Sequence, residues 1–417
     1  MRKAAAGLLS VVVLTLSAAT ACSESEPQFA ELQGWERVEV WGHQDVVEYD
    51  RVAVSTGPTG LSWFTRARGS TDTLAYWTST DALSASQIEV AMPQDPVVIP
   101  VAVATDAREG WVAVAVGREV AHGENTAVLA WLSGPQAPRP QRLAPPEEGM
   151  GVPARIEAAR VGGVNLVTGV ADGRVVAWRN AAPDIAADTG TAGGSGPGTA
   201  ARAAPGEWSA QALELEGGED LVTTDLASDG QRFVMAGVDR EGGAHLWASS
   251  DGREWQRLEG DLPADAGSAT LLGPLEPGEM LVSWLGARTP RNDDVPRSGP
   301  EATVQRISGD RVTSEGVVEA RPDDGWPDLS LTGAAVSPEG RTVVVGAAWR
   351  SANAITPMVW LRDGDEWEPS SQPELASRLD YEMRAVAAVG DDRLVGLVTP
   401  TPRGIDVEVW GWSQKDD

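Results

Sequence analysis

Between Leu226 and Glu259 the chain turns three times on glycine-containing pairs, with a short apolar run after each turn. Asp229-Gly230 precedes Arg232–Val238, Glu241-Gly242-Gly243 precedes Ala244–Ala248, and Asp251-Gly252 precedes Glu254–Leu258. A tight turn between extended runs needs positive φ, which glycine supplies without steric cost. With Leu221–Ala227 in front, this is a four-stranded antiparallel meander carrying Trp247 on its third strand and Trp255 at the start of its fourth. Such a sheet has two apolar faces and cannot bury either one alone. It has to stack on copies of itself.

Copies run through most of the sequence. Units begin near Asp50, Ile99, Arg155, Leu221, Ser268 and Ser330, and the last, from Arg384, offers only the three strands Arg384–Val389, Arg393–Val398 and Asp406–Trp412. An isolated strand, Gly34–Val40, precedes the first unit and resembles the fourth strand of the Leu226–Glu259 repeat. Pairing it with Asp406–Trp412 closes the stack into a ring and removes two open sheet edges. The expected fold is all-β, a β-propeller of seven four-stranded blades over residues 34–417. Six or eight blades are the alternatives in count, and two β-sandwiches the alternative architecture. Third-strand tryptophans at 77, 131, 178, 247, 360 and 410 set the period. The long step from Trp247 to Trp360 spans two units, because the fifth has Arg306 near that place. Residues Asn180–Gly206, nearly free of bulky apolar side chains, read as a flexible loop inserted in the third unit.

Composition bears on address and partner. Arg2 and Lys3 precede an apolar run, Leu8–Ala18, that is shorter than the ~20 residues of a spanning helix. It leads into Ala19-Thr20-Ala21-Cys22, which holds the only cysteine. This resembles a bacterial lipobox, with Ala19 where that family prefers Leu or Val. The resemblance implies a lipoprotein signal peptide over 1–22 cut so that the lipidated Cys22 becomes the first residue of the mature protein, a tether over 23–33 (SESEPQFAELQ), and a place at the outer face of the cytoplasmic membrane. Plain secretion is the alternative. With no further cysteine, the exported domain has no disulfide and depends on packing. Only Lys3 and Lys415 are lysines, a usage that resembles high-GC actinobacterial coding. The formal net charge of −28 disfavours nucleic acid and anionic lipid headgroups.

Ser249-Ser250-Asp251-Gly252-Arg253-Glu254-Trp255 resembles the Asp box of sialidase-like (BNR) propellers, one residue short between Asp and Gly. Arg362-Asp363-Gly364-Asp365-Glu366-Trp367 resembles it without the Ser. In that family the box is a structural turn between third and fourth strands. The resemblance also raises glycoside hydrolysis, which in that family takes an arginine triad, a Tyr–Glu pair and an Asp. Only Tyr49, Tyr76 and Tyr381 are available, and Tyr76 reads as packing within a blade.

A second pattern points to binding. Loops from second to third strands and from fourth to first strands share one face of a propeller. Arg118, Arg240, Arg288, Arg350 and Arg403 follow second strands, and Trp41, Trp326 and Trp349 fall in the same set of loops. Arginine forks and loop tryptophans are the side chains a recognition surface uses. They equally serve inter-blade ion pairs and seam packing. His43, His122 and His245 lie far apart without a cysteine partner, so no metal or cofactor is implied. The expectation is a membrane-anchored, non-catalytic binding or scaffold protein for an envelope protein or glycan. A sialidase-like hydrolase is the rival, and an assembly factor for a membrane complex makes the same static expectations as a scaffold.

Overall fold

The computed structural model describes residues 35–41, 48–57, 60–68, 72–79, 85–93, 97–105, 110–118, 125–134, 138–153, 155–181, 207–286, 301–320, 328–351, 354–370, 381–389, 393–400 and 407–413. The described residues form twenty-eight strands in seven antiparallel four-stranded sheets. Blade 1 is β2 (Glu48–Gly57), β3 (Gly60–Arg68), β4 (Thr73–Ser79) and β5 (Ser86–Val90). Blade 2 is β6 (Val97–Thr105), β7 (Trp111–Arg118), β8 (Asn125–Leu132) and β9 (Gln141–Leu143). Blade 3 is β10 (Ile156–Val161), β11 (Val164–Ala171), β12 (Arg174–Ala181) and β13 (Ser209–Ala212). Blade 4 is β14 (Leu221–Ser228), β15 (Phe233–Asp239), β16 (Ala244–Ser249) and β17 (Gln256–Arg257). Blade 5 is β18 (Ala266–Glu276), β19 (Glu279–Gly286), β20 (Glu301–Ser308) and β21 (Arg311–Glu319). Blade 6 is β22 (Asp328–Val336), β23 (Thr342–Ser351), β24 (Ala354–Asp363) and β25 (Glu366–Ser370). Blade 7 is β26 (Tyr381–Val389), β27 (Arg393–Pro400) and β28 (Val407–Ser413), completed by β1 (Trp35–Trp41). β1 runs antiparallel to β28 from Trp35 opposite Trp412 to Trp41 opposite Val407, so the N-terminal strand closes the ring as the repeat count demands.

The core is divided. Seven apolar clusters occupy the seven seams, and each draws its residues from two consecutive blades. Strand alternation produces this, because successive side chains of one sheet point to opposite neighbours. In blade 3, Val167 packs towards blade 2, and Leu166 towards blade 4.

Four of the six third-strand tryptophans share one arrangement, whereas Trp77 donates to Thr65 Oγ1 at 3.2 Å and Trp410 to Glu408 Oε2 at 3.0 Å, each within its own blade. The indole N–H of Trp131 donates to the Ala91 carbonyl at 3.0 Å, Trp178 to Ala144 at 2.5 Å, Trp247 to Glu216 at 3.1 Å and Trp360 to Glu319 at 3.2 Å. Each acceptor ends or follows the fourth strand of the preceding blade, so each tryptophan stitches two blades. Blade 5 departs from the pattern and corrects the sequence expectation. Arg306 turns to the following seam, where it pairs with Glu279 and Glu315 at 3.1 and 2.8 Å. Gln305, one residue earlier, takes the tryptophan's position. It accepts the Trp284 indole N–H at 2.9 Å and donates to the Asp261 carbonyl at 2.7 Å, so the stitch is relayed through an amide.

The turn at Asp251 lies between β16 and β17. Its carboxylate accepts the Arg253 and Glu254 amides at 2.8 and 3.2 Å, and Ser249 Oγ accepts the Gly252 amide at 2.9 Å. Arg179 of blade 3 donates to the Asp251 carbonyl, and half-buried Trp255 packs in the seam between blades 3 and 4. Burial works against ionisation of Asp251, but the two amides, Ser249 and the Arg179 charge outweigh it and hold the carboxyl below its ordinary range.

Candidate functional site

The innermost strands β2, β6, β10, β14, β18, β22 and β26 enclose a central channel of about 910 Å³. Its walls are mainly Ala, Val and Leu. Among the described residues lining it, the charged side chains are Arg155, Glu157, Arg160, Asp225, Asp229, Glu276 and Arg384. A cavity of this size with apolar walls and a few convergent polar groups has the character of a ligand site.

Two of those acids occupy one repeat position. The second-strand residue after the one opposite the third-strand tryptophan pairs with Ala53 in blade 1, Ala102 in blade 2, Gly333 in blade 6 and Ala385 in blade 7. Counting from Gln305 gives Thr270 in blade 5. The same position is Glu157 in blade 3 and Asp225 in blade 4. Close blade approach fixes small residues there elsewhere. A Cβ on Gly333 would stand 3.2 Å from the Ala385 Cα. The two acids are half-buried, because they open on the channel while lying deep in the molecule.

Their surroundings differ. Asp225 Oδ1 accepts the Leu226 amide at 2.8 Å, and Oδ2 accepts the Leu271 amide of blade 5 at 2.6 Å, tying blades 4 and 5 together. Burial raises its pKa, against the two amides and the charge of Arg155. Glu157 accepts no hydrogen bond among the described residues. Burial first, and then the Asp225 charge, push its pKa well above the ordinary value, and Arg155 opposes them. Adjacent carboxyls in a poorly solvated place do not ionise together easily. Sequence reading missed both. The available signal was an acid inside an innermost strand at a position that is Ala or Gly in most other units.

Arg384, a bulge residue of β26, carries the charge on the far side of the channel. It pairs with buried Glu382 at 3.1 Å, Glu382 accepts from Ser330 at 2.8 Å, and Ser330 accepts the Trp349 indole N–H at 3.2 Å. Arg160 is bonded to Asn165 and lies over Gly110. Three arginines therefore line the channel, and no tyrosine does among the described residues. Tyr76 is buried between blades 1 and 2, stacked on Trp111 at 4.4 Å, with its pKa pushed up to about 12 by burial. Tyr49 and Tyr381 lie in β2 and β26, and their side chains fall outside the described residues.

The arginines and tryptophans expected on the loop face are distributed as follows. Arg118 ends β7 and Arg240 stands in the β15–β16 turn; both are exposed, at the same end of their blades, and neither forms an ion pair among the described residues. Trp41, Trp349 and Arg350 lie in strands, a correction of their expected place in loops. Trp41 ends β1, and β23 continues through Trp349 and Arg350 because the ladder with β24 persists to Ser351. Trp349 is half-buried and bonded as above; the side chains of Trp41 and Arg350 fall outside the described residues. Arg288, Trp326, Arg403 and Cys22 lie outside the described residues altogether. On the same face, Arg174 of blade 3 pairs with Glu147 of the preceding loop at 2.9 Å, both ends exposed.

No family model matches the chain, and no curated protein matches it. Among solved structures, a protein of unknown function from Dyadobacter fermentans is 11% identical, with 92% of this chain and all of that chain covered, at a TM-score of 0.45. A Trypanosoma rangeli sialidase in complex with the inhibitor DANA is 14% identical over 79% of this chain and 56% of the other, at 0.43. The β-propeller domain of the trilobed protease from Pyrococcus furiosus is 9% identical over 87% and 94%, at 0.42. At this distance the likeness extends to the β-propeller form and to nothing finer.

Proposed function

We propose that this propeller is exported, held at the outer face of the cytoplasmic membrane through a lipid on Cys22, and binds an envelope protein or glycan without turning it over. The observation that carries the reading is the pair Arg118 and Arg240. These two exposed guanidinium groups, without ion-pair partners among the described residues, stand on one face of a ring whose chain has a net charge of −28. A guanidinium offers a planar fork to carboxylates, so the partner presents acidic side chains or acidic sugars. A ring with an apolar cluster in every one of its seven seams suits recognition by a rigid face.

The test is crosslinking in cells followed by purification from the membrane fraction, comparing wild type with an Arg118→Ala, Arg240→Ala variant and with Cys22→Ser. The expected result is one stoichiometric partner lost from the double variant and release of Cys22→Ser from the membrane. Retention of Cys22→Ser at the membrane overturns the anchor. Sialoside turnover by the purified chain overturns the non-catalytic reading, in favour of the hydrolase for which the channel's three arginines and four acids speak.

A further inference from the structure

The seam between blades 3 and 4 contains polar oxygens that the fold does not use. Glu157 of β10 and Thr168 of β11 are direct cross-strand partners, so their side chains share one face. That face looks to blade 4, because Ala159 and Leu166, two residues from each, pack there. Thr224 of β14 looks back at blade 3, as Leu226 does two residues on. Thr168 is fully buried and Thr224 is 3% exposed, and neither hydroxyl has a hydrogen-bond partner among the described residues. Both Thr224 and Glu157 line the channel. A buried hydroxyl without a partner is uncommon, and two on the opposed faces of one seam, beside the Glu157 carboxyl, offer acceptor oxygens to a bound donor.

We propose that this seam, where it opens on the channel, binds a primary ammonium group carried on an apolar stem. An ammonium has three N–H donors and no acceptor. Glu157, Thr168 and Thr224 offer three oxygens from three strands. The Ala, Val and Leu walls of the channel accommodate the stem. A divalent metal fits less well, because only one carboxylate faces the seam. Asp225 looks to blade 5 with both oxygens on backbone amides. The charges facing the group favour a cation. Asp225 acts on Glu157 from β14, and among the described lining residues four acids stand against three arginines; Asp229 is already paired with Arg232 and Arg384 with Glu382, which leaves the acids ahead. Arg155, exposed on the channel lining and acting on both acids, is the built-in competitor. The site is separate from the Arg118 and Arg240 face, so it stands or falls independently of the partner proposed above.

Calorimetric titration of the full chain with n-butylamine tests this, with n-butanol and tetramethylammonium as controls and Nα-acetyl-lysine methylamide as a second ligand. The expected result is saturable binding of the amines and none of the controls. Thr168→Val and Thr224→Val should each weaken binding about tenfold, Glu157→Gln should abolish it, and Arg155→Ala should strengthen it. Affinity should rise with pH as Glu157 ionises. Tighter binding of the lysine derivative assigns the group to a protein partner, and tighter binding of butylamine assigns it to a small amine. Thr168→Val keeps the shape and removes an unpartnered hydroxyl, so its melting temperature should match or exceed that of wild type, which separates lost binding from lost fold. Equal binding of butanol, no binding of either amine, or wild-type affinity in both valine variants overturns the site and leaves only water in the seam.

Discussion

Glu157 links a single side chain to the stability of the ring. Its pKa is raised by burial and by Asp225, so the folded chain holds its proton more tightly than the unfolded chain does. Stability then falls as pH rises from the ordinary glutamate range through the folded value, and is restored as pH is lowered. Glu157→Gln keeps the shape and has no proton to lose. Its melting temperature relative to wild type should therefore climb steadily with pH, and a constant difference across the range would contradict the assignment. Asp251 behaves in the opposite sense. Its carboxyl is held below the ordinary range, so its contribution is present above that range and lost in acid. Asp251→Asn should therefore be most damaging at neutral pH, with the gap to wild type closing as pH falls through the folded value. The Asp251 turn was legible because turn chemistry is local. Glu157 was not, because an acid in a strand acquires its meaning only from the small residues at the same place in other blades.

The indole stitch is the device of the element scale. Trp247→Phe keeps the ring in the seam and leaves the Glu216 carbonyl without its donor, which should destabilise by about 1–3 kcal/mol in denaturant melts. Gln305→Leu breaks two hydrogen bonds of the blade 5 relay and should cost at least as much, whereas loss of Arg306 should disturb the seam to blade 6 instead. A Gln305→Leu protein as stable as wild type would refute the relay. Tryptophan spacing led to the blades because an aromatic on six of the seven third strands is visible along a chain. The substitution of Gln305 for tryptophan was hidden, because strand alternation puts the adjacent and more conspicuous Arg306 on the opposite face. The strand ends at Trp349 and Arg350 were misplaced for a related reason: ladder length depends on the partner strand, here Ala354–Asp363, and not on local propensity.

At the scale of the whole molecule, seven seams hold seven blades, and among the described strands β1 alone enters its sheet from the distant end of the chain. Val40→Pro removes a backbone donor from β1 and fixes its φ, so pairing with β28 at Glu408 should weaken. The expected outcome is a lower melting temperature with faster proteolysis of blade 7 than of blades 3 and 4. Uniform loss across all blades would show that closure does not protect this seam selectively. The repeat count and the closing strand were readable because both follow from burying edges and faces. The channel's chemistry was not, because its residues meet only when separate repeats are brought around one axis.

The divided core also has a consequence in time. Since every apolar cluster is shared by two blades, a blade acquires its full partner surface only when the next one arrives, and the first blade only when the last does. A chain emerging from its N-terminus carries β1 past some 360 residues before Val407–Ser413 exists for it to pair with. Loop closure over that length is slow compared with local hairpins. The final seam therefore forms only after the whole ring has been delivered, and until then the growing chain presents two unsatisfied sheet edges to whatever protects it.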